Sequence, residues 1–375
     1  MTAHPGPDAV LEGCVIAVAA DRRSAELASA LQRRGAVVHR TPPLSIVPAT
    51  DDDQLIQRTR ELIADPPDVV IVTTGVGLRG WMDAVDQSDL HGPLSAALSR
   101  SRFIARGPKA HGAIQQAGFT ADWVAESETS AEVADQLIAD GVAGRRIAVQ
   151  HHGAGADDLD HRLERHGAQV VPLTVYRWGP PPDPQVVRRS VRQVAEGCVD
   201  AVLFTSAPGA REWVRIAGDL GALESIRGRT RNGRLLLASV GPVTSAPLED
   251  VGLPTRTASR GRLGSLVRSV VEYYGSAAPR TMTAAGELQV RSGGALIDGR
   301  FIALSPASAS ILGALFDAGG RVLSREELGR ALPRGGERSH AVEMAIARLR
   351  ERLGGGDSVR TVTKRGYRLT TGEPE

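Results

Sequence analysis

The chain has 375 residues, 42% of them hydrophobic, and a formal net charge of +2, so about two to three domains are expected, each large enough for its own core. Nothing near the N-terminus joins a charged start to an apolar run, and no segment approaches the ~18 apolar residues of a membrane span, so a membrane partner is excluded and a cytoplasmic location is expected. Of the 45 basic residues only Lys109 and Lys364 are lysine, which makes arginine richness a weak signal, and Cys14 and Cys198, beside apolar strand patterns and without metal spacing, are expected to be buried thiols.

In chain order, the first 275 residues repeat themselves at an offset of about 132. CVIAV and ALQRRGAVV, from Cys14 and Ala30, match RRIAV and HRLERHGAQV, from Arg145 and His161. DVVIVTTGVGLRGW, from Asp68, matches DAVLFTSAPGAREW, from Asp200. IARGPKAHGAIQQAG, from Ile104, matches ASVGPVTSAPLEDVG, from Ala238. Each piece is an apolar run, a Gly- or Ser-rich turn and an amphipathic helix, the βα rhythm of a parallel sheet whose ligands lie at the carboxyl ends of the strands. Between the pieces lie PPLSIVP (42–48) and VPLTVYRWGPPP (171–182), whose prolines disfavour helix and suit extended crossings. The expected fold is α/β: two similar parallel-sheet lobes joined by two crossing strands, lobe one over about 1–43 and 180–275 and lobe two over about 48–172.

Two motifs in this region are discounted. GVGLRG (75–80) has the spacing of a dinucleotide fingerprint, but no acidic residue ends a second strand about twenty positions on. HHGAGADDLDH (151–161) could bind a metal or haem iron, yet lacks fixed ligand spacing and reads as a polar loop whose aspartates favour a helix start. No metal and no cofactor is assigned.

After a linker, SAAPRTMTAAG (276–286), residues 287–375 form a separate domain of three helices and a hairpin. Ser305 caps the first helix with Pro306 at its first position, and Ile311, Leu312, Leu315 and Phe316 make its apolar stripe. Ser324 and Glu327 make an S-x-x-E capping box for the second. In the third, Val342, Ile346, Leu349 and Leu353 recur at helical spacing, leaving His340, Glu343, Met344, Ala347, Arg348 and Glu351 outside. SVRTVTKRGYRLT (358–370) follows as the hairpin, and between 321 and 368 basic residues outnumber acidic ones twelve to six.

The helix ending RLRERL, the polar turn and the terminal GYRL resemble the winged-helix output domain of two-component response regulators, the OmpR/PhoB type. That resemblance implies a third helix in the major groove and a wing at the minor groove, with Arg338, His340, Arg348, Arg350, Lys364 and Arg365 contacting double-stranded DNA. Ala345 and Ala347 stand where the family often has His and Arg, so phosphate contacts are expected to carry more of the affinity. A receiver domain, the usual partner of this module, is a single five-stranded unit of ~120 residues; the duplicated region is over twice that.

The duplicated region, over about residues 13–274, resembles uroporphyrinogen-III synthase in its Phe204-Thr205-Ser206 turn, SVGPVTSAPLEDVG, the TVY ending at Tyr176 and the two-lobe order. The resemblance implies cofactor-free closure of hydroxymethylbilane in a cleft between lobes. Tyr176 matches the family tyrosine that assists hydroxyl departure, and Thr244 and Ser206 match other cleft hydroxyls. A substrate with eight carboxylates calls for donors at helix starts and basic turns, which makes Arg22, Arg23, Thr74, Arg106, Lys109, Thr205 and Arg211 ligand candidates. The first copy departs from the family: Thr74-Gly75 and Gly107-Pro108-Lys109-Ala110 stand for a TS turn and a G-x-x-T turn, so two hydroxyls are missing.

The expectation is a DNA-binding transcriptional regulator whose synthase-like module binds a small anionic ligand such as a tetrapyrrole precursor. Ligand would change the angle between lobes and so the presentation of the DNA-binding domain or its pairing as a homodimer on DNA. The alternatives are an active synthase carrying a DNA-binding domain, and a protein that does both.

Overall fold

The computed structural model describes residues 9–48, 53–151, 158–259, 261–332, 338–355 and 358–372. Twelve strands run through the duplicated region: β1 (Val15–Ala19), β2 (Val37–Arg40), β3 (Ser45–Pro48), β4 (Val69–Val72), β5 (Arg102–Ala105), β6 (Ala121–Val124), β7 (Arg146–His151), β8 (Gln169–Thr174), β9 (Tyr176–Gly179), β10 (Ala201–Phe204), β11 (Leu236–Ser239) and β12 (Arg256–Thr257). Ten of them form two five-stranded sheets, β12-β11-β10-β1-β2 and β6-β5-β4-β7-β8, with every neighbouring pair parallel.

The two orders are the same order. β1, β2, β10, β11 and β12 take the places in one sheet that β7, β8, β4, β5 and β6 take in the other. Renumbered by chain order within each lobe, lobe one reads 2-1-3-4-5 and lobe two 3-2-1-4-5, two doubly wound arrangements that differ only in which part of the sheet the chain enters first. Each sequence copy therefore feeds both lobes: the first supplies β1 and β2 to one and β4 to β6 to the other, and the second does the reverse. The chain must cross twice, and the crossing strands β3 and β9 pair antiparallel, Ile46 opposite Trp178 and Val47 opposite Arg177. The compact units are Met1–Leu44 with Pro180–Glu375, containing lobe one, and Ser45–Gly179, which is lobe two.

Strands buried on both faces read as continuous apolar runs, as VVIV of β4 does. Alternate residues serve opposite layers: Val70 and Val72 pack with Leu78 and Trp81, whereas Val69 and Ile71 pack with Val133 and Leu137. In lobe one Ile16 and Val18 meet Leu27 and Leu266, while Ala17 and Val202 meet Trp213. Each fully buried aliphatic side chain contributes about 1.5–3 kcal/mol over leaving it in water. Among the described residues no helix is long and apolar enough to cross a membrane.

Cys14 is buried, but Cys198 is exposed, contrary to the sequence expectation. It sits in the turn after helix Pro184–Glu196 and before β10, outside the strand whose apolar pattern suggested burial.

The C-terminal region opens with an antiparallel sheet, β13 (Thr281–Thr283), β14 (Gly286–Arg291), β15 (Gly294–Ile297) and β16 (Arg300–Ala303), paired in that order. The stretch read as a linker holds the end of the π-helical turn Tyr273–Ala277 and then β13, and Thr283 bridges to Thr371 near the end of the chain. Helices Pro306–Asp317, Arg325–Ala331 and Arg338–Arg352 follow, then the wing, β17 (Val359–Val362) and β18 (Gly366–Leu369). Ser305 Oγ accepts from the Ser308 N–H at 3.2 Å. Ser324 and Glu327 form both arms of the capping box, at 3.2 and 2.7 Å. Val342, Ile346, Leu349 and Leu353 are buried with Leu312, Leu315 and Tyr367.

Candidate functional site

A doubly wound sheet binds ligands beyond the carboxyl ends of its strands, where the strand order reverses. In lobe one that switch point lies between β1 and β10. Arg22 and Arg23 follow β1 directly and Thr205 and Ser206 follow β10, so the fold brings these four candidates to one edge. Arg23 precedes helix Ser24–Gln32 in a left-handed conformation, φ 53°, and its guanidinium is forked onto Glu26 at 2.7 and 2.8 Å. The pairing holds Glu26 below the usual carboxylate range. Ser206 caps helix Ala207–Asp219, its Oγ accepting from Gly209 N–H at 3.3 Å, which leaves its O–H proton available to a ligand oxygen. Arg211 is exposed on the second turn of that helix. One strand further out, Gly241 precedes helix Pro242–Glu249; Thr244 in its first turn is buried while Val243 beside it is exposed.

Lobe two repeats this edge with one substitution of consequence. Thr74 caps helix Gly75–Gln87 as Ser206 caps its counterpart, its Oγ1 accepting from Gly77 N–H at 3.1 Å. In register, however, Gln150 opposes Val72 where Ala19 opposes Phe204. The fully buried Gln150 accepts from Thr74 N–H at 3.2 Å through Oε1. A Cβ on Gly77 would come within 1.9 Å of its amide, and one on Gly75 within 2.3 Å of the Lys109 carbonyl oxygen. The G-x-G spacing therefore serves packing in this lobe, and Gln150 occupies the place beside the helix start that a phosphate would need. Against Gly209 of lobe one the nearest atom is the cap's own Ser206 Oγ, 3.0 Å from a built Cβ. Lys109 is exposed on the first turn of helix Pro108–Gln116, and Arg106, half-buried, follows β5 on the same edge.

Tyr176 opens β9, and its ring is buried in the core of lobe two, edge-on to Trp178 at 6.0 Å. The side chain is part of the packing at the crossing ladder. His151 Nε2 lies 2.8 Å from Asp160 Oδ2, a pairing that the sequence concealed inside a polar loop. His152 to Asp157 of that loop lie outside the described residues. Among the described residues no group of three or more His, Cys, Asp or Glu side chains could hold a metal ion.

On helix Arg338–Arg352 the exposed face carries His340, Glu343, Met344, Ala347, Arg348 and Glu351. The side chain of Arg338 lies outside the described residues. Arg325 pairs with Glu343 at 3.0 Å and offsets an acidic charge on this face. Ala345 is buried, its carbonyl accepting from Ser308 Oγ at 3.4 Å, so only Ala347 thins the exposed surface. Arg350 donates through Nε to the Val359 carbonyl and through Nη2 to Thr361 Oγ1, both at 2.8 Å, and lies over the Tyr367 ring. It staples the helix to the wing. Lys364, at φ 61°, and Arg365 are exposed in the wing turn.

Comparison with known proteins divides the chain in the same places. Residues 25–268 match the family described as Uroporphyrinogen-III synthase HemD, and residues 299–369 match Transcriptional regulatory protein, C terminal. The uncharacterized protein YjjA of Bacillus subtilis strain 168 is 28% identical over 266 residues, 70% of this chain and 97% of its own length. The crystal structure of a mutant uroporphyrinogen III synthase from the extremely thermophilic bacterium Thermus thermophilus superposes with a TM-score of 0.54 at 25% identity, covering 68% of this chain and 97% of that one.

Proposed function

The chain belongs to the uroporphyrinogen-III synthase HemD family and ends in an OmpR/PhoB-type DNA-binding domain, and from that premise we propose a transcriptional regulator whose synthase-like module binds a small polyanion of the tetrapyrrole-precursor kind. The observation that carries the reading is the carboxyl edge of lobe one, where Ala19 stands at the register position that Gln150 holds in lobe two and Arg22, Arg23, Thr205 and Ser206 follow the switch-point strands, in one chain with a helix and wing suited to duplex grooves. Backbone N–H groups at the start of helix Ala207–Asp219, the Ser206 hydroxyl and the basic turn after β1 suit the carboxylates of such a ligand. Helix Arg338–Arg352 enters the major groove with Arg348 at base edges, and Lys364 and Arg365 meet phosphates from the wing.

Binding rather than turnover is favoured by the core packing of the Tyr176 ring and by the two hydroxyls absent from the first copy. Calorimetric titration of the full chain with hydroxymethylbilane tests the reading. Binding is expected, weakened about tenfold by Arg22→Ala or Ser206→Ala, the worth of one charge-assisted hydrogen bond. Heat absent at millimolar ligand would overturn it. Macrocycle formation in the same mixture, abolished by Tyr176→Phe, would instead identify an active synthase.

A further inference from the structure

Asp200 stands just before β10, at the end of that strand opposite to Thr205 and Ser206, and is only 3% exposed. Its carboxylate accepts from two backbone N–H groups far apart in the chain. Val15, the first residue of β1, donates to Oδ2 at 2.7 Å; Ser292, in the turn between β14 and β15, donates to Oδ1 at 2.9 Å and to Oδ2 at 3.1 Å. One buried carboxylate thus joins two parallel-sheet strands of lobe one to a hairpin of the DNA-binding domain. Burial pushes its pKa up, and those two N–H groups act in the opposite direction.

The surrounding polar groups are matched across the same boundary. Gly293 N–H donates to the Gly13 carbonyl at 2.9 Å, and Ser292 Oγ to the Gly197 carbonyl at 3.2 Å. Arg291, 2% exposed, donates through Nη1 to the carbonyls of Val10 and Glu12 at 2.8 and 2.6 Å, and through Nε and Nη2 to Gln289. Its guanidinium lies over the ring of Tyr274, whose hydroxyl donates to the Asp200 carbonyl at 2.6 Å. Phe301 closes on Gly13 so tightly that a built Cβ there would stand 2.1 Å from its ring. Arg234 reaches Asp317 at 3.6 Å and covers the Phe316 ring, a second point of attachment.

A boundary that buries an arginine and an aspartate and satisfies both with groups from its two sides has the character of a domain interior. We propose that lobe one and the winged-helix domain fold and open as one cooperative body, latched by the Asp200 carboxylate, and that the DNA-binding domain does not swing about residues 276–286. The proposal concerns the joint alone and holds whether or not the module binds a tetrapyrrole precursor.

Hydrogen exchange of the full chain, read by mass spectrometry, tests it. Segments 10–16 and 288–293 are expected to exchange as slowly as β10, and Asp200→Ala to accelerate both together by about tenfold or more. Because Asp200→Ala also strips an acceptor from lobe one, Gly293→Ala provides a second test. Its Cβ would stand 2.8 Å from the Gly13 carbonyl oxygen, at the joint and outside the lobe-one sheet. It should accelerate the same two segments while β4 and β7 keep their wild-type rates. Exchange of wild-type 288–293 at the rate of an exposed turn, or a Gly293→Ala effect confined to its own hairpin, would overturn the proposal.

Discussion

The two lobes share a strand order, a hydroxyl-capped helix and a fully buried tryptophan, Trp81 in one and Trp213 in the other, yet they differ at the switch point. Lobe two fills the place beside its capped helix with Gln150, and lobe one has only the methyl of Ala19 at that register position. The copies of a duplicated scaffold can thus differ at one helix start by a single residue. The tryptophans differ in the same spirit: Trp81 Nε1 donates to Thr59 Oγ1 at 2.9 Å, whereas Trp213 Nε1 is buried without a partner among the described residues.

The comparison is tested most forcefully at these tryptophans. Trp81→Ala and Trp213→Ala should each cost about 3–5 kcal/mol in denaturant unfolding, since each leaves a large cavity. Equal losses would agree with equivalent packing, and a small loss at either site would break the equivalence. At the helix starts, Gly77→Ala must displace the buried Gln150 and should cost about 1–3 kcal/mol, with Gly209→Ala costing less because only the Ser206 hydroxyl must give. The reverse order would show that the lobe-two edge is not filled. Replacement by phenylalanine sharpens the contrast further: Trp81→Phe gives up a hydrogen bond, Trp213→Phe removes an unsatisfied donor, and the second variant should be the more stable by about 1–2 kcal/mol.

The smallest effect separates both lobes from the C-terminal domain. Their hydroxyl caps at Thr74 and Ser206 do not titrate, but Glu327 does; the Ser324 N–H, then Arg321 and the Ser324 hydroxyl, hold its carboxyl down to about 2 from an ordinary 4.5. A folded pKa below the unfolded one means stabilisation that is fully present above about pH 4.5 and fades as the pH falls towards 2. The difference in melting temperature between wild type and Glu327→Gln, followed for the transition that unfolds the C-terminal domain together with lobe one, should therefore shrink across that interval. A gap constant with pH would remove the charge from the cap.

What was legible in the sequence was local. Caps at Ser305 and Ser324 and the buried face of helix Arg338–Arg352 follow from hydroxyl chemistry and a 3.6-residue period. The repeat exposed the paired lobes because matched pieces must build matched sheets. The sheet β13–β16 was missed, although Asp298-Gly299, at φ 48° and 76°, is the turn that such hairpins demand. Three of its strands are no longer than four residues, too short for alternation to stand out from a linker-like composition. Gln150 was illegible for a different reason: its partner Thr74 is 76 residues away, and nothing near it in the chain marks an amide aimed at another helix. The bond of Arg350 to the wing was illegible likewise, because the carbonyl it binds belongs to a later strand.

The most direct measurement is the affinity of the full chain for a selected operator duplex, by fluorescence anisotropy at fixed salt, with and without saturating hydroxymethylbilane. Ligand control predicts a shift of about tenfold or more, equivalent to ~1.4 kcal/mol of coupling, that Ser206→Ala reaches only at about tenfold higher ligand. An identical affinity with and without ligand that is demonstrably bound would contradict the account.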